Sequence, residues 1–353
     1  MSDEHEQDDD DVEAPGWDAI DAALAEVYGE AEPLHFGTVL KYWMGGPDPV
    51  DGISVYAVDA PRPHWHLVTY GFSELYEKET DDPTTSGFGF ELTFRLARTT
   101  DEPPRWPLGL LQNLARYVFQ SGNVFGAGHH MDLNGPIAME DEATLVRAIA
   151  FAPDPALPAR DTPNGRVEFL QVVGLTLDEL AAAQAWNTER FLELLSRAQP
   201  LLVTDLTRAS ALDDPALRAE VEARTEAEGS SQAAAFLSGL AWEVSGDQAR
   251  LRVGANGVES LRNMLRGRTP HGRPFELHGE DARVEVLPGD AAGWTVEDEA
   301  LRVTLTPDVA RALRDALAPT RGERRLDALP GLVVEVTPTE IKDRDGNVVR
   351  VVG

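Results

Sequence analysis

Histidine is the residue type in this chain best suited to carry chemistry, because imidazole titrates near neutrality and ligates metals. His64 and His66 flank Trp65 and point to one face of a strand, and His129 and His130 stand together in a glycine-rich loop. Four imidazoles could bind zinc. No HExxH spacing and no matching carboxylate accompanies them, so a metal-dependent hydrolase using His64, His66, His129 and His130 is only the alternative reading. The expected reading is structural histidines, with no metal and no cofactor. Cysteine is absent, which removes disulfides, thiolate ligands and a cysteine nucleophile. No GxSxG elbow is present. The glycine-rich pieces SGFGF, GNVFGAG and RVGANG lack the lysine of a phosphate-binding loop and do not lie between a strand and a helix as GxGxxG must. The carboxylate pairs Asp81-Asp82 and Asp213-Asp214 fall in turn-rich segments, as solvated or capping groups. The chain is therefore expected not to be an enzyme.

What is left is a surface. Residues 122–136 hold three glycines before the histidine pair and present Val124, Phe125, Met131 and Leu133 beside His129, His130 and Asp132. Mixed aromatic, apolar and histidine loops on a rigid scaffold suit the binding of a peptide or protein.

The scaffold for that loop is legible just before it. Phe88, Phe90, Leu92, Phe94 and Leu96 alternate with Gly87, Gly89, Glu91, Thr93 and Arg95, the pattern of a half-buried strand. A helix follows with Pro107 in its first turn, an apolar stripe of Leu108, Leu111, Leu114, Ala115, Val118 and Phe119, and Gly122 as its stop. Upstream, a helix from Trp17 is closed by Gly29, and strands are expected at 39–43, 53–58 and 64–72. Downstream, strands are expected at 144–151, 167–173 and 201–206, a capping box at Thr176 and Glu179 opens one helix, 189–197 forms another, and Asp214-Pro215 caps a third. The remainder reads as a second α+β unit, with strands at 249–253, 274–278, 282–287, 301–306 and 332–336 and helices at 258–265 and 307–318. Strands and helices do not alternate, so the expected fold class is α/β (α+β), with two domains, each a mixed or antiparallel sheet flanked by helices. The limits are an acidic, disordered tail at 1–14 and domains at 15–238 and 239–353.

Charge narrows the partners. The net charge is −30, and residues 1–40 hold thirteen Asp or Glu and no Lys or Arg. Nucleic-acid affinity rests on cations that neutralise phosphates, so nucleic acid is excluded as a partner, as is an anionic membrane surface. No apolar run is long enough to span a bilayer and no leader is visible, so a cytoplasmic location is expected; a monomer is expected as well. Three lysines against twenty-eight arginines, with much alanine, is the bias of a GC-rich, bacterial genome.

Longer stretches carry a resemblance. KYWMGGPDPVDGISVY (41–56), HWHLVTYGFSELY (64–76), SGFGFELTFRL (86–96), WPLGLLQNLARYVFQSGNVFGAG (106–128), VEFLQVVGLTLDELAAAQAWN (167–187) and LLVTDLTR (201–208) closely resemble the Suppressor of fused family in order and spacing. The match continues more thinly through LRGRTPHGRPFELHG (265–279), LTPDVARAL (305–313) and LVVEVTP (332–338). The resemblance implies a two-domain, non-catalytic protein. In animals the family restrains transcription factors by closing its domains around an extended partner segment, which adds as a β-strand. It implies that Tyr117 keeps a tyrosine of that site. His129 and His130 stand where the animal proteins have an aspartate followed by histidine, and Pro153 falls at a second acidic contact. The long acidic insertion of the animal second domain is missing. Losing half of a buried charged pair costs about 2–5 kcal/mol, so the resemblance carries over fold and binding mode but not the partner. Bacterial relatives are read as immunity proteins against polymorphic toxins, a role that the acidity fits. The expected protein-binding residues are Tyr117, Phe125, His129, His130 and Met131, and the expected partner is a toxin or a regulatory protein.

Overall fold

In the computed structural model the described residues are 13–342 and 347–353. The expected acidic tail thus lies, for residues 1–12, outside them. The contacts divide the chain into two compact units, one of Met1–Leu175 with Ser196–Arg208 and the other of Thr176–Leu195 with Ala209–Gly353. No helix among the described residues is long and apolar enough to cross a membrane.

The first unit opens with α1 (Pro15–Tyr28), started by Pro15 and closed by Gly29 at φ 63°. Strands β1 (Leu34–Gly37), β2 (Gly52–Val58), β3 (His64–Tyr70) and β4 (Thr85–Ala97) follow, then α2 (Trp106–Ser121), β5 (His130–Asp132), β6 (Val146–Pro153), β7 (Arg160–Thr162) and β8 (Gly165–Thr176). They form one sheet in the order β1-β2-β3-β4-β8-β6-β5, with β7 paired to β8. The period-two pattern decides which side chains meet which helix. Trp65, Leu67, Phe90, Leu92, Phe94, Leu96, Leu170 and Val172 join Leu111, Leu114, Ala115 and Val118 of α2 in one core. On the opposite face Tyr56, Val68, Tyr70 and Phe169 join Ile20, Ala23 and Leu24 of α1 in another. Each large apolar side chain so buried contributes about 1.5–3 kcal/mol.

Burial on both faces corrects the reading of β4. Glu91, Thr93 and Arg95 do not line an open face: they are 0 %, 0 % and 1 % exposed. Alternation marks the polar residues, but a helix arriving from a distant part of the chain covers that face, and their hydrogen bonds run to neighbouring strands and to Asp154, with Arg95 Nε left without an acceptor among the described residues. Glu91, for example, accepts from Thr69 Oγ1 at 2.6 Å, Ser73 Oγ at 2.7 Å, and the backbone N–H groups of Gly71 and Ser73 at 2.9 and 3.0 Å.

Two expected strands are absent. Residues 39–43 form a bend running into a 3₁₀ turn at Tyr42–Met44, closed by Gly45 at φ 90°; the apolar run has strand propensity, but the glycine-rich stretch behind it turns the chain. At 201–206 the chain makes a 3₁₀ turn at Pro200–Leu202, with Leu201 and Leu202 at φ 57° and 51°, and only Thr204 bridges to Leu96. The start of β4 is also irregular. Its pairing with β8 shifts register between Thr85 and Phe90, where Gly87 and Gly89 have φ 56° and 84°. A Cβ on Gly87 would lie 2.6 Å from Phe72 O. Gly87→Ala is therefore expected to destabilise the protein by about 2 kcal/mol or more, read as a lower urea midpoint with an unchanged slope.

The second unit begins with α3 (Leu177–Ala185), α4 (Thr188–Ala198) and α5 (Pro215–Glu228). The expected caps form: Thr176 and Glu179 make the capping box, and Asp214 accepts from Ala216 N at 2.9 Å. Then come β9 (Ala234–Phe236), β10 (Ala241–Ser245), β11 (Gln248–Gly254), α6 (Val258–Gly267), β12 (Phe275–His278), β13 (Arg283–Pro288), β14 (Gly293–Glu297), β15 (Ala300–Leu305), α7 (Pro307–Ala316), β16 (Gly322–Arg325), β17 (Leu332–Thr337), β18 (Thr339–Lys342) and β19 (Val348–Val352). One sheet runs β10-β11-β17-β16, another β14-β15-β13-β12-β9, and β18 pairs β19. The first two sheets share a core: Leu251, Val253, Val334 and Val336 from one and Leu277, Val284, Val286 and Val303 from the other pack with Leu261 and Met264 of α6 and Ala310 and Leu313 of α7. Both units are thus mixed β-sheets flanked by helices.

Candidate functional site

The end of α2 and the loop after it are shaped by a few local bonds. Gly122 adopts φ 72° and its N–H reaches Val118 O at 2.8 Å, stopping the helix one turn past Tyr117. Ser121 Oγ donates to Tyr117 O at 2.6 Å, and Asn123 Nδ2 donates to the Tyr117 hydroxyl at 3.3 Å. The chain then turns so that Phe125 lies under Tyr117. Their rings stack at 5.6 Å and 21°, and Phe125 stacks in turn on Phe151 of β6 at 4.3 Å and 16°. The result is a three-ring column from a surface tyrosine, 42 % exposed, through a buried Phe125 to a fully buried Phe151. Phe125 supports the surface rather than presenting itself, and Phe151 is a member of the column that sequence reasoning did not single out.

The second histidine of the pair, His130, begins a strand that periodicity read as loop. Gly128 N donates to Phe151 O at 2.9 Å, Phe151 N to His129 O at 2.9 Å, and Leu133 N to Arg147 O at 3.1 Å. These bonds lay β5 antiparallel on β6, with His130 opposite Ala150, Met131 opposite Ile149 and Asp132 opposite Ala148. At three residues β5 is too short for a pattern to reveal. It ends the sheet order, so its outer side carries no further strand among the described residues. His129 is exposed, His130 is half-buried, and Met131 packs with Leu133 against the α2 core. Burial pushes the His130 imidazole below its ordinary value, so it is neutral at pH 7. Pro153 is exposed at the end of β6. In the second unit β9 also ends its sheet, with Phe236 83 % exposed and stacked at 5.5 Å on His278.

The four histidines do not converge. β3 and β5 are separated in the sheet order by β4, β8 and β6, roughly 19 Å at ~4.8 Å per strand. His64 Nδ1 bonds Arg62 O at 2.8 Å, and His66 is locked in the interior. One ion cannot take all four imidazoles, and among the described residues no group of three or more His, Asp or Glu is placed to hold a metal.

His66 belongs instead to a buried polar cluster beneath α1. It lies opposite Arg95 on β4, and Thr93 lies opposite Gln171 on β8. Asp154, just past β6, joins them: it accepts from Arg95 Nη1 and Nη2 at 2.5 and 2.9 Å, Thr93 Oγ1 at 2.7 Å and His66 Nε2 at 3.2 Å. Arg95 Nη1 also reaches Gln171 Oε1 at 2.6 Å. The Tyr28 hydroxyl, from the last residue of α1, donates to His66 Nδ1 at 2.5 Å. Burial pushes the Asp154 carboxyl up, but His66 and Arg95 outweigh it and hold it well below the usual carboxylate range. With every member engaged inside the fold, the cluster offers nothing to a substrate; it ties α1, three strands and the exit of β6 together.

Two mixed sheet-and-helix units, an exposed tyrosine on an aromatic column and an open sheet edge beside it define a mixed α/β scaffold. The sequence profile of the Suppressor of fused protein (SUFU) family matches residues 46–209. Suppressor of fused homolog of Homo sapiens is 35% identical over 326 residues, covering 84% of this chain and 64% of that protein, and its Mus musculus counterpart is 39% identical over 287 residues, covering 73% and 56%. The chain therefore spans less than two thirds of the length of these relatives. Among solved structures, Drosophila Suppressor of Fused superposes with a TM-score of 0.72 at 25% identity, over 92% of this chain and 97% of that one. A chain from the Sufu-Fu complex superposes with a TM-score of 0.56 at 34% identity, over 60% and 98%. The chain belongs to the Suppressor of fused family.

Proposed function

We propose that this chain is a non-catalytic protein-binding module that takes an extended segment of a polypeptide partner as an added β-strand and so sequesters it. The observation that carries the reading is the open outer edge of β5 beside Tyr117, whose ring is held at the surface by Phe125 and Phe151. An edge strand supplies main-chain donors and acceptors to any extended peptide, and side chains beside it select the sequence. A relative solved as the Sufu-Fu complex supports a protein partner for this chain also. Tyr117, Phe125, His129, His130 and Met131 are the proposed binding residues, on domains proposed at 15–238 and 239–353. That the segment is clamped between the two domains rests on the family resemblance, and action in the cytoplasm as a monomer is part of the same proposal.

Affinity purification from the native host tests the reading. A protein retained by the wild type is expected to be lost with Tyr117→Ala, since a tyrosine at the centre of an interface contributes about 2 kcal/mol or more, roughly thirtyfold in Kd. Tyr117→Phe, which keeps the stacking on Phe125, is expected to retain most of it. Retention of nothing by the wild type, or equal retention by Tyr117→Ala, would sink the proposal.

The acidity favours one special case. A net charge of −30 complements a basic toxin and speeds its capture. As an immunity protein the chain would rescue cells expressing a toxin encoded beside it, and no rescue by the wild type would remove this case while leaving the broader one standing.

A further inference from the structure

The α6 face opposite the core carries an unusual concentration of cation for so acidic a chain. Glu259, Arg262, Asn263 and Arg266 recur at i, i+3, i+4 and i+7, while Val258, Leu261, Met264 and Leu265 are buried. With Arg314 and Asp315, from the last turn of α7, they line an open groove of about 340 Å³. Its carboxylates are already occupied by two of its arginines. Glu259 accepts from Arg262 Nη1 at 2.8 Å, and Asp315 accepts from Arg314 Nε and Nη2 at 2.9 and 2.7 Å. Arg266 is exposed and has no hydrogen bond or ion pair among the described residues. Three guanidiniums facing two carboxylates leave the groove net positive and short of acceptor oxygens.

We infer that this groove is an anion site that binds a phosphate monoester. A guanidinium fork pairs bidentately with either a carboxylate or a phosphate. A third carboxylate would bring only one charge and two oxygens into a groove that already holds two carboxylates. A phosphate monoester brings about −1.5 to −2 charges and three strong acceptors, enough to meet Arg266 and the Arg314 Nη1 that its pair with Asp315 leaves unused. The lone fork of Arg266 is the primary contact and the other two arginines complete the cradle. Asn263 donates through Nδ2 to Gln184 Oε1 at 3.1 Å, which ties this face of α6 to α3 and holds it still. A phosphorylated serine or threonine and a small phosphorylated metabolite present the same group.

Calorimetric titration of the full chain at fixed ionic strength, with inorganic phosphate and with a capped pentapeptide carrying a central phosphoserine, tests this. Saturable binding of at least one probe is expected, with the unphosphorylated peptide silent and Arg266→Gln weakening the interaction about tenfold or more. Arg311→Gln, on α7 but outside the groove and paired with Asp308, is expected to bind as the wild type, and circular dichroism checks that both variants are folded. Tighter binding of the phosphopeptide assigns the site to a polypeptide, and equal or tighter binding of inorganic phosphate assigns it to a small molecule. The proposal is overturned if neither probe saturates, if Arg266→Gln binds as tightly as the wild type, or if chloride at equal ionic strength competes as well as phosphate does.

Discussion

Asp154→Ala is expected to destabilise the first unit by about 3–5 kcal/mol, the cost of breaking a buried ion pair by removing one partner. Besides Arg95, Thr93 and His66, the Asp154 carboxylate accepts from the backbone N–H groups of Ala156 and Leu157 at 2.8 and 3.0 Å. Its removal strands a guanidinium that is 1 % exposed, with Gln171 as its remaining hydrogen-bond acceptor. Against a total stability of about 5–15 kcal/mol for a typical domain, the loss is a large fraction. The expected cost is that of an orphaned charge and not the net worth of the pair, so Arg95→Met combined with Asp154→Leu should be less damaging than Asp154→Ala alone. Urea unfolding followed by tryptophan fluorescence reads both. A change below about 1 kcal/mol for Asp154→Ala would show that the cluster is not what secures α1 and the β6 exit.

The same substitution bears on binding. β6 ends one residue before Asp154; it carries Phe151, the base of the aromatic column, and the ladder that holds β5. The candidate surface is therefore secured from behind by a cluster that never reaches it. A partner-binding defect in Asp154→Ala would be a loss of support, distinguishable from Tyr117→Ala because only the former lowers the urea midpoint.

How much of this was legible in the sequence depends on the range of each interaction. The stripe of α2, its stop at Gly122, the capping box at Thr176 and the cap at Asp214 are local patterns, and the structure forms all of them. The long resemblance made the family legible as well. Asp154 was not, because it sits in a turn-rich stretch and its partners Arg95 and His66 lie 59 and 88 residues away. Alternation marked Glu91, Thr93 and Arg95 as polar but could not tell solvent from a covering layer, since α1 arrives from far upstream. At the site, Tyr117 and the histidine pair could be singled out from motif and composition. Their arrangement could not, because β5 is too short to show a period and the stacking of Phe125 on Phe151 depends on which strand β5 joins. The four histidines show the same limit: they resemble a ligand set in sequence, and the sheet order holds the two pairs apart.

Acidification below neutrality is expected to weaken the first unit before ordinary carboxylates titrate, and His66 is the main reason. Burial, reinforced by the neighbouring Arg95 charge, lowers its pKa to about 4. The bond pattern agrees. Ionised Asp154 can only accept, so Nε2 carries the proton, and Nδ1 accepts from the Tyr28 hydroxyl. Burial raises the Tyr28 pKa to about 12, so it remains a donor. Protonating Nδ1 would turn two donors on each other and add a second cation beside a carboxylate already matched by Arg95. The folded pKa lies below the unfolded one, near 6.5, so the stability that neutral His66 supplies is present above about pH 6.5 and is lost as pH falls towards 4, on the order of 3 kcal/mol in all. His35, His64 and His130 are lowered by burial too and act in the same sense, whereas burial raises Glu91, which opposes them. Urea midpoints at intervals between pH 7.5 and 4.5 should therefore fall with pH in the wild type and fall much less in His66→Gln. Tyr28→Phe, which frees Nδ1 to take a proton, raises the folded pKa towards the unfolded one and should make the fall smaller and end it at a higher pH. A wild-type profile that is flat across this window, or one that His66→Gln leaves unchanged, would mean that His66 takes up its proton equally in the folded and unfolded chain, and a profile that rises on acidification would mean that Asp154, rather than the apolar surroundings, sets its state.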